Sequence, residues 1–277
     1  MFKRKFGIRL VIICAFIYSN IMICETAHRL KNKDFGPKIV GGHAVGLEEY
    51  PFAVQFFNLG SLCGGVILNT WAVLTSAHCL DNNKNIKKMT VQVGSKYIYD
   101  FNAKKYDLSS YEVHEDYNKV IPFENDIAML FVKKPIKFNK LAKKGILVNH
   151  NKWMNPKETE FIVTGWGWLK YDGALSEMSL MMASLTYVTV SRCSELHKIE
   201  LSKDMFCLYG EGDRDTCRGD SGGGVLWNGR IVGLTSHGDG CAKKLKPSVY
   251  TNLWYHRKWI KEQMLRFIDN FCRQGEN

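Results

Sequence analysis

None of the nine cysteines in this 277-residue chain forms a Cys-x-x-Cys pair. Zinc ribbons and dithiol redox motifs use that spacing, so neither accounts for the cysteines. An oxidising compartment, where thiols pair as disulfides, is the expectation. No internal repeat, low-complexity tract or heptad pattern occurs, which excludes solenoids and coiled coils. The chain lacks an Asn-x-Ser/Thr sequon, so ordinary N-glycosylation is not expected. Its N-terminal apolar run, residues 10–24, is broken by Ser19 and Asn20 and falls short of the roughly 20 apolar residues of a membrane span. What is present is ordinary for a folded protein: 45% hydrophobic and 23% charged residues, enough to build a core in one large or two modest domains. The net charge of +11 raises nucleic acid, anionic membrane or acidic glycan as partners until that charge is located.

Much of it lies at the start. Lys3, Arg4, Lys5 and Arg9 precede the apolar run, the order of a secretory signal, so residues 1–24 are read as a signal peptide. No Ala-x-Ala tripeptide marks the cut, and the boundary at Cys24 is approximate. Residues 25–38 are polar, without pattern, and end in Lys38. Residues 1–38 hold eight Lys and Arg against two Asp and Glu, so the remainder carries only +5.

From residue 39 to about 250, short apolar runs alternate with turn residues, at 52–56, 65–68, 72–75, 89–93, 126–132, 160–164, 224–227 and 230–234. Many short strands without intervening helical patterns predict an all-β sandwich or barrel rather than a parallel sheet. One amphipathic helix is expected, over residues 254–268, with Trp259, Ile260, Met264, Phe267 and Ile268 near helical spacing.

Three segments carry chemistry. The stretch 215–223, Asp-Thr-Cys-Arg-Gly-Asp-Ser-Gly-Gly, places Ser221 in a glycine-rich turn where a carbonyl can approach both the hydroxyl and neighbouring N–H groups. Upstream stand Thr-Ser-Ala-His-Cys at 75–79 and Asn-Asp-Ile-Ala at 125–128. A serine hydroxyl needs a base, and that base works best when a carboxylate fixes its tautomer. His78, Asp126 and Ser221 offer those roles in that order.

With the Ile-Val-Gly-Gly tetrapeptide at 39–42, these motifs resemble the trypsin-like serine proteases, and the resemblance runs from Ile39 to about Ile268. It implies two packed six-stranded antiparallel β-barrels with a C-terminal α-helix, residues 39–277 forming the protease domain. By the same resemblance Ser221 is the nucleophile, His78 the base, Asp126 the orienting carboxylate, and the N–H groups of Gly219 and Ser221 the oxyanion hole. Cleavage of Lys38–Ile39 is expected to free an amine that pairs with Asp220, which makes the chain a zymogen.

The resemblance further implies the disulfides Cys63–Cys79, Cys193–Cys207 and Cys217–Cys241. Where relatives often carry a fourth bridge, Phe161 and Trp227 stand, and aromatic packing is expected there. A Cys24–Cys272 bridge is conceivable if the signal is cut before Cys24.

Asp215 takes the place of the pocket base and implies cleavage after Lys or Arg. Ser236, Gly238 and Ser248 line that pocket by resemblance; Ser248 replaces a usual glycine and His237 a usual Trp, the first narrowing the slot toward Lys or weakening both substrates. Phe123 is expected to cap the adjacent subsite, and Arg218 to favour acidic residues past the cut. The stretch 94–105 has only Asp100 as an acid, so no calcium site, metal or other cofactor is expected.

The implied partners are protein or peptide substrates, protein protease inhibitors and an activating protease, with no nucleic acid and no membrane span in a secreted, monomeric mature form. The competing reading is a basic glycan- or membrane-binding protein on a protease fold, using Lys133, Lys134, Lys137, Lys140, Lys143 and Lys144. Inactive relatives usually lose a triad member, and none is missing here.

Overall fold

A strand covered on both faces is apolar throughout rather than alternating, and two strands of the first half show it. β4 (Ala72–Thr75) and β7 (Ala128–Val132) are buried at every position. Val73 and Leu130 point into one barrel, with Val54, Phe56, Ile67 and Val91. Leu74, Met129 and Phe131 point outward into a second cluster, with Phe52, Trp166, Ile231, Leu234 and Trp259. The outer layer is the seam where another barrel and a helix dock.

The computed structural model describes residues 39–155, 157, 160–168 and 179–275. The expected signal and pro-piece, 1–24 and 25–38, lie outside these, as does Cys24. The first barrel closes as β2 (Ala53–Asn58), β3 (Ser61–Ile67), β4, β7, β6 (Lys104–Val113) and β5 (Met89–Val93), all antiparallel. The second is built from β8 (Phe161–Gly165), β9 (Met181–Val188), β10 (Met205–Tyr209), β13 (Ser248–Asn252), β12 (Arg230–His237) and β11 (Gly224–Trp227), closed by the pairing of β11 and β9 to β8. A two-residue strand, β1 (His43–Ala44), adds to β9. The two six-stranded barrels and the C-terminal helix are the architecture expected from the resemblance.

Two helical details differ from expectation. Helix α1 (Val190–His197) has no counterpart in the sequence pattern; it is short and polar, and Cys193 is its single buried residue. The Thr189 hydroxyl caps it by accepting the Arg192 N–H, and Lys198 ends it in a left-handed conformation. The C-terminal helix, α2, runs Arg257–Gly275 rather than 254–268. It starts later because the Asn252 side chain accepts the N–H groups of Trp254 and Tyr255, holding them in a turn. Phe267 stacks on Phe131 at 4.2 Å, whereas Ile268 is 47% exposed and off the buried stripe.

All three expected disulfides are present, and Cys272 is free and exposed. The Phe161–Trp227 expectation is altered in detail. Both residues join one apolar cluster, but Phe161 meets the rings of Trp153 and Tyr187, and Trp227 meets His150 edge-on.

Candidate active site

His78 sits on a 3-10 turn, Ala77–Leu80, directly after β4. The Cys63–Cys79 bridge fixes that turn to β3. The Ser76 hydroxyl donates to the Thr235 carbonyl at 2.8 Å, which ties the turn to the second barrel. Cys63, His78 and Cys79 lie close enough together to suggest a metal-ligand cluster, but both sulfurs are consumed in the bridge and offer no thiolate.

Asp126 is fully buried, two residues before β7. One carboxylate oxygen accepts the His78 backbone N–H at 2.9 Å; the other accepts His78 Nδ1–H at 2.8 Å and the Ser236 hydroxyl at 2.5 Å. The Thr251 hydroxyl donates to its backbone carbonyl at 2.9 Å. Both hydroxyls come from the second barrel, so the carboxylate of one barrel is held by the other. Burial alone would raise the Asp126 carboxyl, but the His78 charge and these hydrogen bonds hold it below the ordinary value. For His78, burial pulls the imidazole down, and the charge and hydrogen bond of Asp126 raise it overall. The Nδ1 contact fixes the tautomer and leaves Nε2 for other chemistry.

Ser221 comes from the second barrel, in the turn before β11. Its carbonyl accepts the Gly64 N–H of β3 at 2.7 Å, and Gly222 donates to the Thr235 carbonyl at 2.8 Å. Gly222 adopts φ +80°, and a Cβ there would stand 2.2 Å from Thr75 Oγ1. Only glycine permits the serine turn to press this closely on the first barrel. Gly219, at φ +100°, orients the peptide two residues earlier.

His78 and Ser221 line one cleft of about 450 Å³, together with Thr216, Ser236, Gly238 and Ser248. Phe123 stacks face to face on His237 at 4.4 Å and meets His78 edge-on at 5.9 Å, forming one wall. Arg218 lies over the Trp168 ring at the rim, 5.1 Å from its centre. His237 is driven down to about 4, chiefly by burial, so it is neutral near neutral pH.

Asp215 is 4% exposed. Its carboxylate accepts the Ser248 hydroxyl at 2.6 Å, the Thr216 N–H at 2.8 Å and the Ala242 N–H at 2.8 Å. Burial raises it to about 6 despite these three donors. Asp220 is fully buried and accepts the Gly167 N–H at 2.7 Å and the Cys217 N–H at 2.9 Å. Burial raises it to about 7, and the nearby Asp215 adds to the rise. Ile39 is likewise fully buried, and Val40 bridges to Asp215.

The structure thus gathers His78, Ser221, Ser236, Gly238 and Ser248 around one cleft, with the buried Asp126, Asp215 and Asp220 behind it and Gly219 in the turn that leads to Ser221. The Ser236 contact to Asp126 and a brace beyond it carry no signal in the sequence. The brace is Asp204, which accepts the Asn125 N–H at 2.8 Å and faces His256 Nε2 at 3.4 Å. No local motif announces a pair separated by more than fifty residues. The six lysines 133–144 are exposed, and Lys140 lies 3.9 Å from Glu48. Among the described residues no helix is long and apolar enough to cross a membrane.

A histidine paired with a buried carboxylate, and a serine on the same cleft, set on two closed antiparallel barrels, are the arrangement of the double-barrel serine hydrolases. The family model described as Trypsin matches residues 39–260, and the chain belongs to that family. It is similar to a trypsin of Phaedon cochleariae, 31% identical over 82% of this chain and 88% of the relative. It is also similar to trypsin V-B of Rattus norvegicus, 32% identical over 90% and 97%, and to a trypsin of Sus scrofa, 28% identical over 83% and 96%. The chain is a trypsin-like serine endopeptidase.

Proposed function

We propose that the chain is a secreted endopeptidase made as a zymogen, activated by cleavage at Lys38–Ile39, that hydrolyses peptide bonds after Lys or Arg. The observation that carries the reading is the double hold on Asp126, by His78 Nδ1 at 2.8 Å and Ser236 at 2.5 Å, in a cleft that Ser221 shares.

In this reading Ser221 Oγ attacks the scissile carbonyl while His78 Nε2 takes its proton. Asp126 keeps His78 in the Nδ1–H tautomer and stabilises the imidazolium. The N–H groups of Gly219 and Ser221 bind the developing oxyanion. His78 then returns the proton to the departing amine, and water repeats the sequence to release the acyl group. Asp215 supplies the negative charge that draws a basic side chain to the pocket base.

The zymogen step has a physical motive. The buried Asp220 carboxylate is destabilised by desolvation, and a freed Ile39 amine is the complementary charge. Secretion rests on the signal-like residues 1–24. Protein inhibitors that present a basic residue to the cleft would compete with substrate.

The test is amidase activity on Lys and Arg peptides before and after cleavage at Lys38, with Ser221→Ala as control. Activity appearing only after the cut and lost in Ser221→Ala supports the reading. Equal activity before the cut removes the zymogen, and hydrolysis surviving Ser221→Ala removes the nucleophile.

A further inference from the structure

We propose that Ser248 makes this protease selective for lysine over arginine, because its hydroxyl stands between the cleft and Asp215 and completes an acceptor set that fits an ammonium. The inference rests on the reading of Asp215 as the base of the primary specificity pocket.

Ser248 and Thr216 both line the cleft, while Asp215 lies behind them almost without exposure. A carboxylate oxygen offers two lone-pair sites. Asp215 Oδ1 already accepts two donors, the Ser248 hydroxyl and the Thr216 N–H; among the described residues Oδ2 accepts only the Ala242 N–H. One acceptor site therefore remains on the carboxylate.

A guanidinium is recognised best when its planar fork places one N–H on each oxygen. Here the fork would have to evict a hydroxyl or backbone donor from Oδ1 and leave it buried without a partner. An ammonium carries three donors on one compact nitrogen. Three acceptors are available to it in this region: the remaining site on Asp215 Oδ2, the Ser248 oxygen beside Oδ1, and Thr216 Oγ1, whose partner is the Tyr250 hydroxyl at 3.1 Å. The slot is narrow as well. Gly238, directly after β12, neighbours Ser248 of the paired β13, and a methyl group placed on Gly238 would stand 3.0 Å from Ser248 Oγ, so the serine oxygen fills the space beside that glycine. The slim lysine stem passes such a constriction more readily than a planar group.

The experiment compares peptide amides that differ only in Lys, Arg or Tyr at the cleaved position, on the activated enzyme and on Ser248→Gly and Ser248→Ala. In the unmodified enzyme kcat/KM for Lys is expected to exceed that for Arg by about tenfold or more. Ser248→Gly should open one acceptor site on Oδ1, leaving one on each oxygen for the fork, and bring the Lys/Arg ratio down by about tenfold, mainly through the KM for Arg. Ser248→Ala keeps most of the bulk but removes the hydroxyl, and should weaken Lys while giving Arg less than Ser248→Gly does.

Arg cleaved as well as Lys by the unmodified enzyme, or an unchanged ratio in Ser248→Gly, overturns the proposal while leaving the wider Lys/Arg reading intact. Cleavage after Tyr but after neither basic residue refutes that wider reading, and the proposal with it. Should Ser248→Gly not fold, competitive inhibition of the unmodified enzyme by butylammonium and butylguanidinium decides. Stronger inhibition by the ammonium supports the proposal, and equal or stronger inhibition by the guanidinium overturns it.

Discussion

The Asp204 carboxylate accepts the backbone N–H of Asn125 at 2.8 Å, so the residue before Asp126 is fastened to the second barrel. Asn125 holds φ +54°, a left-handed conformation that needs surrounding contacts to persist. Asp204→Ala should lower kcat about tenfold or more with KM within about twofold, since it displaces the carboxylate that orients His78 without touching the pocket. Asp204→Asn keeps an acceptor and should recover most of that loss. Steady-state kinetics on both variants check this, and a purely structural role would show as lost melting temperature with kcat intact.

The pH profile follows from His78. In the proposed mechanism it acts as base only when neutral, and its folded value is raised above the ordinary one, so kcat/KM should climb with pH through a midpoint above about 6.5 and collapse in acid. Asp126→Asn removes the charge that does the raising and leaves burial, so the midpoint should move down. Its kcat should fall roughly 10⁴-fold, a magnitude carried over from the family. A midpoint unmoved in Asp126→Asn would contradict the pairing.

Asp220 makes stability depend on pH and on cleavage. Its folded value is raised to about 7, above the roughly 3.9 of an unfolded carboxyl. The folded state therefore binds the proton more tightly, and its stability advantage is full below about pH 4 and lost as pH rises to about 7. Asp215, raised to about 6, acts in the same sense over a narrower window. The uncut Ser221→Ala protein should lose melting temperature across that window, by an amount worth a few kcal/mol. After cleavage at Lys38–Ile39 a paired amine should remove the Asp220 part of the loss. The gain from cleavage should be largest near pH 8, and Asp220→Asn should abolish it.

The loop at 95–102 is held by side-chain amides. Gln92 Nε2, on a residue 3% exposed, donates to Gln55 Oε1 at 2.9 Å, the Tyr97 carbonyl at 3.1 Å and the Ile98 carbonyl at 2.9 Å. Gln55 donates to the Ser95 and Tyr97 carbonyls at 3.4 and 3.1 Å. Gln92→Ala should destabilise the protein by roughly 2 kcal/mol, because buried acceptors lose their donor. A chelator should leave the melting temperature unchanged. Differential scanning calorimetry with and without chelator tests both.

How far the sequence could be read depended on whether a feature was local. Strands such as β7 were legible because five consecutive apolar residues between turn signals leave few alternatives. β6 was not, since Leu108 is the only one of its ten residues that is buried; it is a strand because β5 and β7 each present an edge that it pairs. His78, Asp126 and Ser221 were named from motifs whose spacing survives in the chain. Ser236 bonding to Asp126, 110 positions away, and Ser248 bonding to Asp215, 33 away, arise only when strands of the folded barrel meet. The direction of a side chain at a pocket base is set by its strand register, which no short window of sequence contains.

The seam between the barrels also orders events in time. His78 and Asp126 belong to the first barrel and leave the ribosome long before Ser221, and the hydroxyls that steady Asp126 come later still, from Ser236 and Thr251. A nascent or truncated chain therefore holds only disconnected parts. The residues of the cleft come together only at the last docking step, so a partly made molecule holds no assembled site even before the pro-piece is considered.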